Sequence, residues 1–171
     1  MITQPTTLIA GIGNIFLGDD AFGCEVLKHL VHREWPENVR VADFGIRGFD
    51  LAYALLEGYD LTIFVDATPR GGAPGTVYVI EPDVSEVDKL DAGAMMVETH
   101  GMDPLKVLNM VKSMGGNLNK VMLVGCEPET FGPEEGLMGL SEPVAAAVPE
   151  AVRIVESLVA KHLEVPIKMT A

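Results

Sequence analysis

The chain has 171 residues, of which 48% are hydrophobic and 22% charged, and this predicts one domain, residues 1–171, with a substantial buried core. Its formal net charge is −13 and its 12 lysines and arginines are scattered singly, so it lacks the basic clusters of a nucleic-acid-binding protein. No apolar run approaches the roughly 18–20 residues of a membrane-spanning helix, and the N-terminus lacks the basic region of a signal peptide. Two cysteines with no paired spacing favour reduced thiols and a cytoplasmic location.

Strands and helices alternate through the first half of the chain. The apolar run from Thr7 to Gly13 predicts a buried strand. Apolar residues at helical spacing predict an amphipathic helix from about Asp20 to Arg33. A second strand is predicted from Asn38 to Asp43 and a short helix from Leu51 to Glu57. The run from Leu61 to Val65 is the clearest buried strand of the sequence.

The middle of the chain combines one regular and one irregular segment. Residues 76–80 alternate after a Pro-Gly pair and predict another strand. Residues 81–101 show no periodicity and predict a long loop, a kind of segment that is often functional in compact domains. A helix follows, with Asp103 predicted as its N-cap and Pro104 at its first position.

The last elements complete the fold class. Residues 120–124 predict a strand, and valines at helical spacing predict a C-terminal helix with Ser141 as its N-cap. Pro149 should kink or restart that helix, because proline cannot donate a backbone hydrogen bond. The alternation predicts a three-layer α/β/α sandwich with a mostly parallel, twisted sheet of about five strands. Ligands in such sheets bind at the carboxyl ends of the strands.

The first predicted strand ends in Gly11-Ile12-Gly13, which could begin a nucleotide-binding loop. A dinucleotide fingerprint requires a third glycine three residues later, where this chain has Phe16. Asp19 and Asp20 also occupy the predicted start of the helix, where a phosphate would bind. One of them suffices to cap the helix, so we expect the other to point into the crevice at the strand ends. A nucleotide-binding domain is therefore a disfavoured alternative.

Two further candidate side chains, Asp66 and His100, lie next to the ends of predicted secondary-structure elements. Asp66 ends the strand at Val65, where it is either a functional carboxylate or a turn-forming residue. His100 precedes a predicted helix, and a lone histidine is usually structural or exposed. Together with Asp20 they form a set of two oxygen ligands and one nitrogen ligand that suits nickel or zinc. No G-x-S-x-G or H-E-x-x-H motif supports a serine hydrolase or a zinc peptidase of that type.

The segment Gly11–Gly23 resembles the opening signature of the nickel–iron hydrogenase maturation endopeptidases, in which G-x-G-N runs into an acidic pair at the first helix. The resemblance extends from about Leu8 to Val159. Further matches follow in order at Asp43–Gly48, Val65-Asp66-Ala67, Pro74–Thr76, the loop bearing His100, Val124-Gly125 with Pro128, and Gly139–Ser141.

The resemblance implies an endopeptidase that cuts the C-terminal extension from a hydrogenase large-subunit precursor after nickel insertion. The metal-binding and catalytic acid, acid and histidine of the family fall on Asp20, Asp66 and His100, with Asp43 as a further candidate. The metal would be nickel carried by the substrate, and no organic cofactor is expected. A metal-activated water and a carboxylate general base both remain open as mechanisms. A chaperone or checkpoint protein that binds the same precursor without cutting it is the alternative function.

Two positions depart from the pattern of the family. Position 20 is aspartate where many members carry glutamate, so this carboxylate is one methylene shorter. Phe44 stands where glycine is common, and we expect it to alter precursor recognition around the Asp43–Gly48 loop.

Overall fold

The computed structural model describes residues 5–85 and 103–163. Its centre is a five-stranded sheet. The strands are β1 (Thr7–Ile12), β2 (Val39–Gly45), β3 (Leu61–Ala67), β4 (Val77–Ile80) and β5 (Lys120–Cys126). They lie in the order β2-β1-β3-β5-β4, and all neighbouring pairs are parallel except β4 and β5. The prediction of a mostly parallel sheet is therefore confirmed.

Helices cover both faces of the sheet. They are α1 (Phe22–Leu30), α2 (Gly48–Leu55), α3 (Pro104–Ser113) and α4 (Glu142–Leu163). One core lies between α1, α4 and the sheet and contains Ile63 and Val65, whereas the other lies under α2 and α3 and contains Phe64. Successive side chains of β3 thus point to opposite faces, as strand geometry requires. The predicted three-layer α/β/α sandwich is confirmed. None of the helices within the described residues has the length and apolar character needed to cross a membrane.

The first helix begins later and ends earlier than predicted. Residues Gly18–Ala21 form a 3-10 turn, and α1 begins only at Phe22. The turn is drawn towards a distant loop, because Gly18 N–H donates to the Leu137 carbonyl over 2.7 Å and Asp19 N–H donates to the Thr130 carbonyl over 2.9 Å. These long-range bonds compete with the regular helical pattern.

The two predicted caps have different outcomes. The Asp103 side chain accepts a hydrogen bond from Leu105 N–H over 2.9 Å, with Pro104 at the first position of α3, so that prediction is confirmed. The Ser141 carbonyl accepts from Ala145 N–H, as at the start of a helix, but the Ser141 hydroxyl donates to Asp19 instead of capping α4.

Helix α4 does not restart at Pro149. It runs without interruption from Glu142 to Leu163 with the proline inside it. The cost of a proline in a helix is about 3 kcal/mol, and the helix offsets it by burying one apolar face. That face consists of Val144, Val148, Val152, Val155 and Val159.

Candidate active site

The carboxyl ends of β1 and β3 lie side by side, with Gly11 opposite Val65. Helix α1 approaches this edge so closely that a Cβ atom on Gly23 would collide with the carbonyl oxygens of Ile12 and Val65. Only glycine fits this contact, which holds the start of α1 against both strand ends. The turn before α1 and the residue after Val65 consequently lie at the same edge of the sheet.

Asp66 lies near the carboxyl end of β3 and is only 7% exposed. Among the described residues, its Oδ1 atom has no hydrogen-bond partner. Burial raises the pKa of this carboxyl well above its ordinary value, and the negative charges of Asp20 and Asp103 raise it further. A buried carboxylate oxygen without a donor is costly as an isolated charge, so binding of a cation or a proton stabilises it.

Asp20 lies in the 3-10 turn before α1 and is half-buried. Its Oδ2 atom accepts a hydrogen bond of 2.9 Å from Asn14 N–H. The turn fits here because Gly13 has a φ of +147° and a Cβ atom on it would collide with the Asp20 carbonyl oxygen. Burial raises the pKa of Asp20, and the hydrogen bond from Asn14 opposes that shift only in part.

Asp20 and Asp66 line the same cleft, which has a volume of about 540 Å³. Asp103, at the start of α3, lies on its wall as a third carboxylate, and Arg70, on the segment after β3, contributes a cation. The cleft therefore unites two residues that the sequence predicts as parts of one site, although they are far apart along the chain.

The third predicted member, His100, lies outside the described residues. Across residues 5–85 and 103–163, no group of three or more His, Cys, Asp or Glu side chains is arranged to hold a metal ion. The assignment of Asp20, Asp66 and His100 to one metal-facing set thus remains a prediction. The predicted long loop at residues 81–101 also lies mostly outside the described part of the chain.

The prediction that one of the adjacent aspartates caps the first helix is wrong. Neither the 3-10 turn nor α1 has a side-chain cap. Asp19 is fully buried, and its Oδ2 accepts from Glu129 N–H (2.8 Å), Thr130 N–H (3.1 Å) and the Ser141 hydroxyl (2.8 Å), while Oδ1 accepts from Ser141 N–H (2.7 Å). Burial alone would raise the pKa of Asp19, but these hydrogen bonds lower it below its ordinary value. Asp19 therefore fastens the loop between β5 and α4.

Asp43, the further candidate, lines a separate pocket of about 350 Å³ together with Cys24. Its Oδ1 accepts a hydrogen bond of 2.9 Å from Gly45 N–H. Burial, followed by the charge of Asp43, raises the pKa of Cys24 to about 12. Burial likewise raises the pKa of Cys126 to about 12, so both thiols are neutral at physiological pH and neither is an activated nucleophile.

Phe44 belongs to the core rather than to the surface of the loop that follows β2. It is 4% exposed and packs with the residues under α2. The guanidinium groups of Arg40 and Arg47 each lie 5.9 Å from the centre of its ring. The substitution for glycine thus anchors this loop, and any effect on recognition acts through the position of the loop.

Glu127, which is not among the residues predicted from the sequence, directly follows β5 and is 4% exposed. Its Oε1 atom accepts hydrogen bonds from Arg70 N–H (2.9 Å), Gly72 N–H (2.9 Å) and the Tyr78 hydroxyl (2.7 Å). The signal was present in the sequence, because an acidic residue after a buried strand is the same pattern that drew attention to Asp66.

Residues 24–158 of the chain match the hydrogenase maturation protease (HycI) family. A relative from Methanocaldococcus jannaschii, named as a hydrogenase maturation protease, is 34% identical over 152 residues, which are 86% of this chain and 92% of the relative. The solved structure of hydrogenase 2 maturation peptidase from a Thaumarchaeota archaeon is 31% identical, with a TM-score of 0.69 over 91% of this chain and 98% of that one. The hydrogenase maturating endopeptidase HybD from Escherichia coli is 28% identical, with a TM-score of 0.72 over 91% and 93% of the two chains.

Proposed function

This chain belongs to the hydrogenase maturation protease family and is an endopeptidase, and we propose that it removes the C-terminal extension of a nickel–iron hydrogenase large-subunit precursor after nickel insertion. The precursor is the proposed partner, and the nickel it carries is the proposed recognition element. We expect this cleavage to occur in the cytoplasm.

The observation that carries the proposal is the carboxylate oxygen of Asp66 that has no hydrogen-bond partner in the described part of the chain, in a cleft that Asp20 also lines. Burial and the charge of Asp20 raise the proton affinity of Asp66, and burial raises that of Asp20. A divalent cation between the two carboxylates would relieve their repulsion and the cost of burial. Aspartate oxygens leave open positions on a borderline metal such as nickel. Nickel already held by the precursor therefore finds ligands in this cleft, and His100 is the proposed third.

Docking of the nickel to these residues sets the position of the peptide bond to be cut. Asn14 holds the carboxylate of Asp20, and strand β3 holds the backbone of Asp66, so both residues are positioned before the substrate arrives. The bound nickel supplies a Lewis acid that polarises the scissile carbonyl or lowers the pKa of a water molecule. A carboxylate that is not engaged by the metal serves as general base for that water, and the Oδ1 atom of Asp66, which accepts no hydrogen bond from residues 5–85 or 103–163, suits either role.

The direct test is to incubate the purified protein with candidate large-subunit precursors, with and without nickel, and to weigh the products by mass spectrometry. We expect loss of a C-terminal peptide from the nickel-loaded precursor only. Asp20→Asn, Asp66→Asn and His100→Ala are each expected to abolish that loss.

The controls separate cutting from mere binding. If the precursor binds and its mass never changes, the protein is a checkpoint or chaperone for this precursor rather than its protease. Equal cleavage with and without nickel would remove nickel as the recognition element. Wild-type activity in all three variants would remove the site assignment and leave the family intact.

A further inference from the structure

The segment between β3 and β4 is held in place by the buried carboxylate of Glu127, which has no role in the proposed cleavage reaction. The single Oε1 atom of Glu127 accepts hydrogen bonds from the backbone of Arg70 and Gly72 and from the hydroxyl of Tyr78. Gly72 allows this arrangement, because a Cβ atom there would collide with the Tyr78 hydroxyl. Hydrogen bonds of this kind, led by that of Tyr78, lower the pKa of Glu127 and keep it ionised. The backbone of Arg70 is therefore held in one place.

The side chain of Arg70 is oriented as well. Its guanidinium carbon lies 5.8 Å from the centre of the Tyr78 ring, within the range of a cation–π contact. In the described part of the chain, no carboxylate lies within ion-pairing distance of Arg70. The side chain is exposed and lines the cleft that contains Asp20 and Asp66. A buried acid and an aromatic ring thus orient one cation that has no acidic partner among residues 5–85 and 103–163.

The positive charge of Arg70 repels the metal cation that Asp20 and Asp66 are proposed to bind. The chain has 12 lysines and arginines and a net charge of −13, so positive charge is scarce. An arginine that lines the same cleft as two carboxylates opposes the binding of a metal cation there, which is a cost unless the substrate also brings an anion. The cleft carries negative charge at Asp20, Asp66 and Asp103 and positive charge at Arg70 and Lys106. Of the two cations, Arg70 is the one held by the Glu127 and Tyr78 contacts described above. This mixture of charges matches a ligand that brings both a cation and an anion.

The length of the chain between Asp66 and Arg70 limits the distance between them. Arg70 follows Asp66 by four residues, so their Cα atoms lie at most about 14 Å apart. An extended peptide covers the same distance in about four residues. A substrate held at Asp66 by its metal can therefore reach Arg70 with a group close to the bond that is cut.

We propose that Arg70 is a specificity-determining residue that binds a carboxylate of the precursor within about four residues of the scissile bond. The inference rests on the proposed function, since it assigns a second contact to the same substrate. Guanidinium and carboxylate groups match in shape and charge and form paired hydrogen bonds. The carboxylate is either an acidic side chain next to the cut or the terminal carboxylate of a short extension.

The test measures kcat and KM of Arg70→Gln on a nickel-loaded large-subunit precursor that the wild-type protein cleaves. We expect kcat/KM to fall about 10- to 100-fold, mainly through KM, as for the loss of one hydrogen bond to a charged partner. The melting temperature should not change, because the side chain is exposed. Arg153→Gln is the matched control, since Arg153 is an exposed arginine that lines a different groove on α4.

Precursor variants identify the carboxylate. Each acidic side chain near the cut is replaced by its amide, and in a separate substrate the C-terminus is amidated. Arg70→Gln should cause no further loss on the one substrate that lacks the bound carboxylate, and Arg70→Glu should regain activity when that group is replaced by lysine. An unchanged kcat/KM for Arg70→Gln, or an equal loss on every neutralised substrate, would overturn the inference while leaving the protease function standing. If the wild-type protein cleaves no precursor, both proposals fall together.

Discussion

Two buried aspartates, Asp19 and Asp66, lie at the same edge of the sheet and have opposite environments. Asp19 accepts four hydrogen bonds and its pKa is lowered, whereas Asp66 has an oxygen without a described partner and its pKa is raised. Burial is common to both, so burial alone does not distinguish a structural acid from a functional one. The number of donors that the fold supplies makes the difference.

The comparison predicts which property each residue controls. Removing the charge of Asp19 deprives the surrounding hydrogen-bond donors of their charged acceptor and should destabilise the fold. Removing the charge of Asp66 eliminates the cost of burying a carboxylate oxygen that has no described partner. This change should lower catalysis rather than the stability of the fold. Three measurements can break or sharpen this contrast.

The largest effect is expected for Asp66→Asn on catalysis. Loss of a metal-facing or proton-accepting carboxylate should lower kcat/KM on the nickel-loaded precursor by about 10²–10⁴-fold. Because the variant removes a buried charge, its melting temperature should stay equal to that of the wild type or rise. Asp60→Asn is the control, since Asp60 is exposed and precedes the same strand at its opposite end. Full activity of Asp66→Asn, or its loss through unfolding, would contradict the contrast.

An intermediate effect is expected for Asp19→Asn on stability. The variant keeps one acceptor oxygen and places an amide against backbone donors, so at least one hydrogen bond to a charged group is lost. The free energy of unfolding in urea should fall by about 1.5–3 kcal/mol or more. For comparison, Asp50→Asn on the exposed side of α2 should change it by less than about 0.5 kcal/mol. If Asp19→Asn were as stable as the wild type, the four hydrogen bonds would make no net contribution to the free energy of unfolding.

The smallest effect is a pair of opposite pH dependences, measured by urea unfolding with a chelator present. The raised pKa of Asp66 means that its carboxyl ionises first in the unfolded chain, so the contribution of this group to the stability of the wild type falls as the pH rises above about 4. The advantage of Asp66→Asn should therefore grow towards neutral pH.

Asp19 has the reverse sign. Its lowered pKa contributes stability above the unfolded value of about 3.9 and loses it as the pH falls through the folded value. The penalty of Asp19→Asn should accordingly shrink in acid. Parallel slopes for the two variants would show that their environments are alike.

The parts of the fold that depend on local patterns were predictable. The buried run Leu61–Val65 became the central strand, and the cap formed by Asp103 and Pro104 required only neighbouring residues. Asp66 was singled out because ligand sites in parallel sheets follow strand ends, a rule that needs no knowledge of packing.

The remaining features depend on contacts that no local pattern contains. The donors that surround Asp19 lie 110 to 122 residues away, so its role could not be separated from that of Asp20 beforehand. The chemistry of Pro149 alone predicts a kink or a restart of the helix, whereas α4 continues through it because the burial of its valine face outweighs the cost of the proline. Glu127 holds a segment that precedes it by some 55 residues, and its role emerges only once β5 lies beside β4.

The 3-10 turn before α1 places the buried Asp19 directly beside Asp20, which borders the cleft, and this limits the sequences that the turn can accept. Asp20 borders the cleft, so a longer acidic side chain has room there. Aspartate differs from it only in how far the carboxylate extends into the cleft. Asp19 has no such room, because donors from three residues surround it. Shifting the register of this turn by one residue would move one aspartate into its neighbour's surroundings and leave the other surroundings to Gly18 or Ala21, which carry no carboxylate. The pair therefore works as a unit of fixed spacing, in which one position has room for a longer acidic side chain and its neighbour does not.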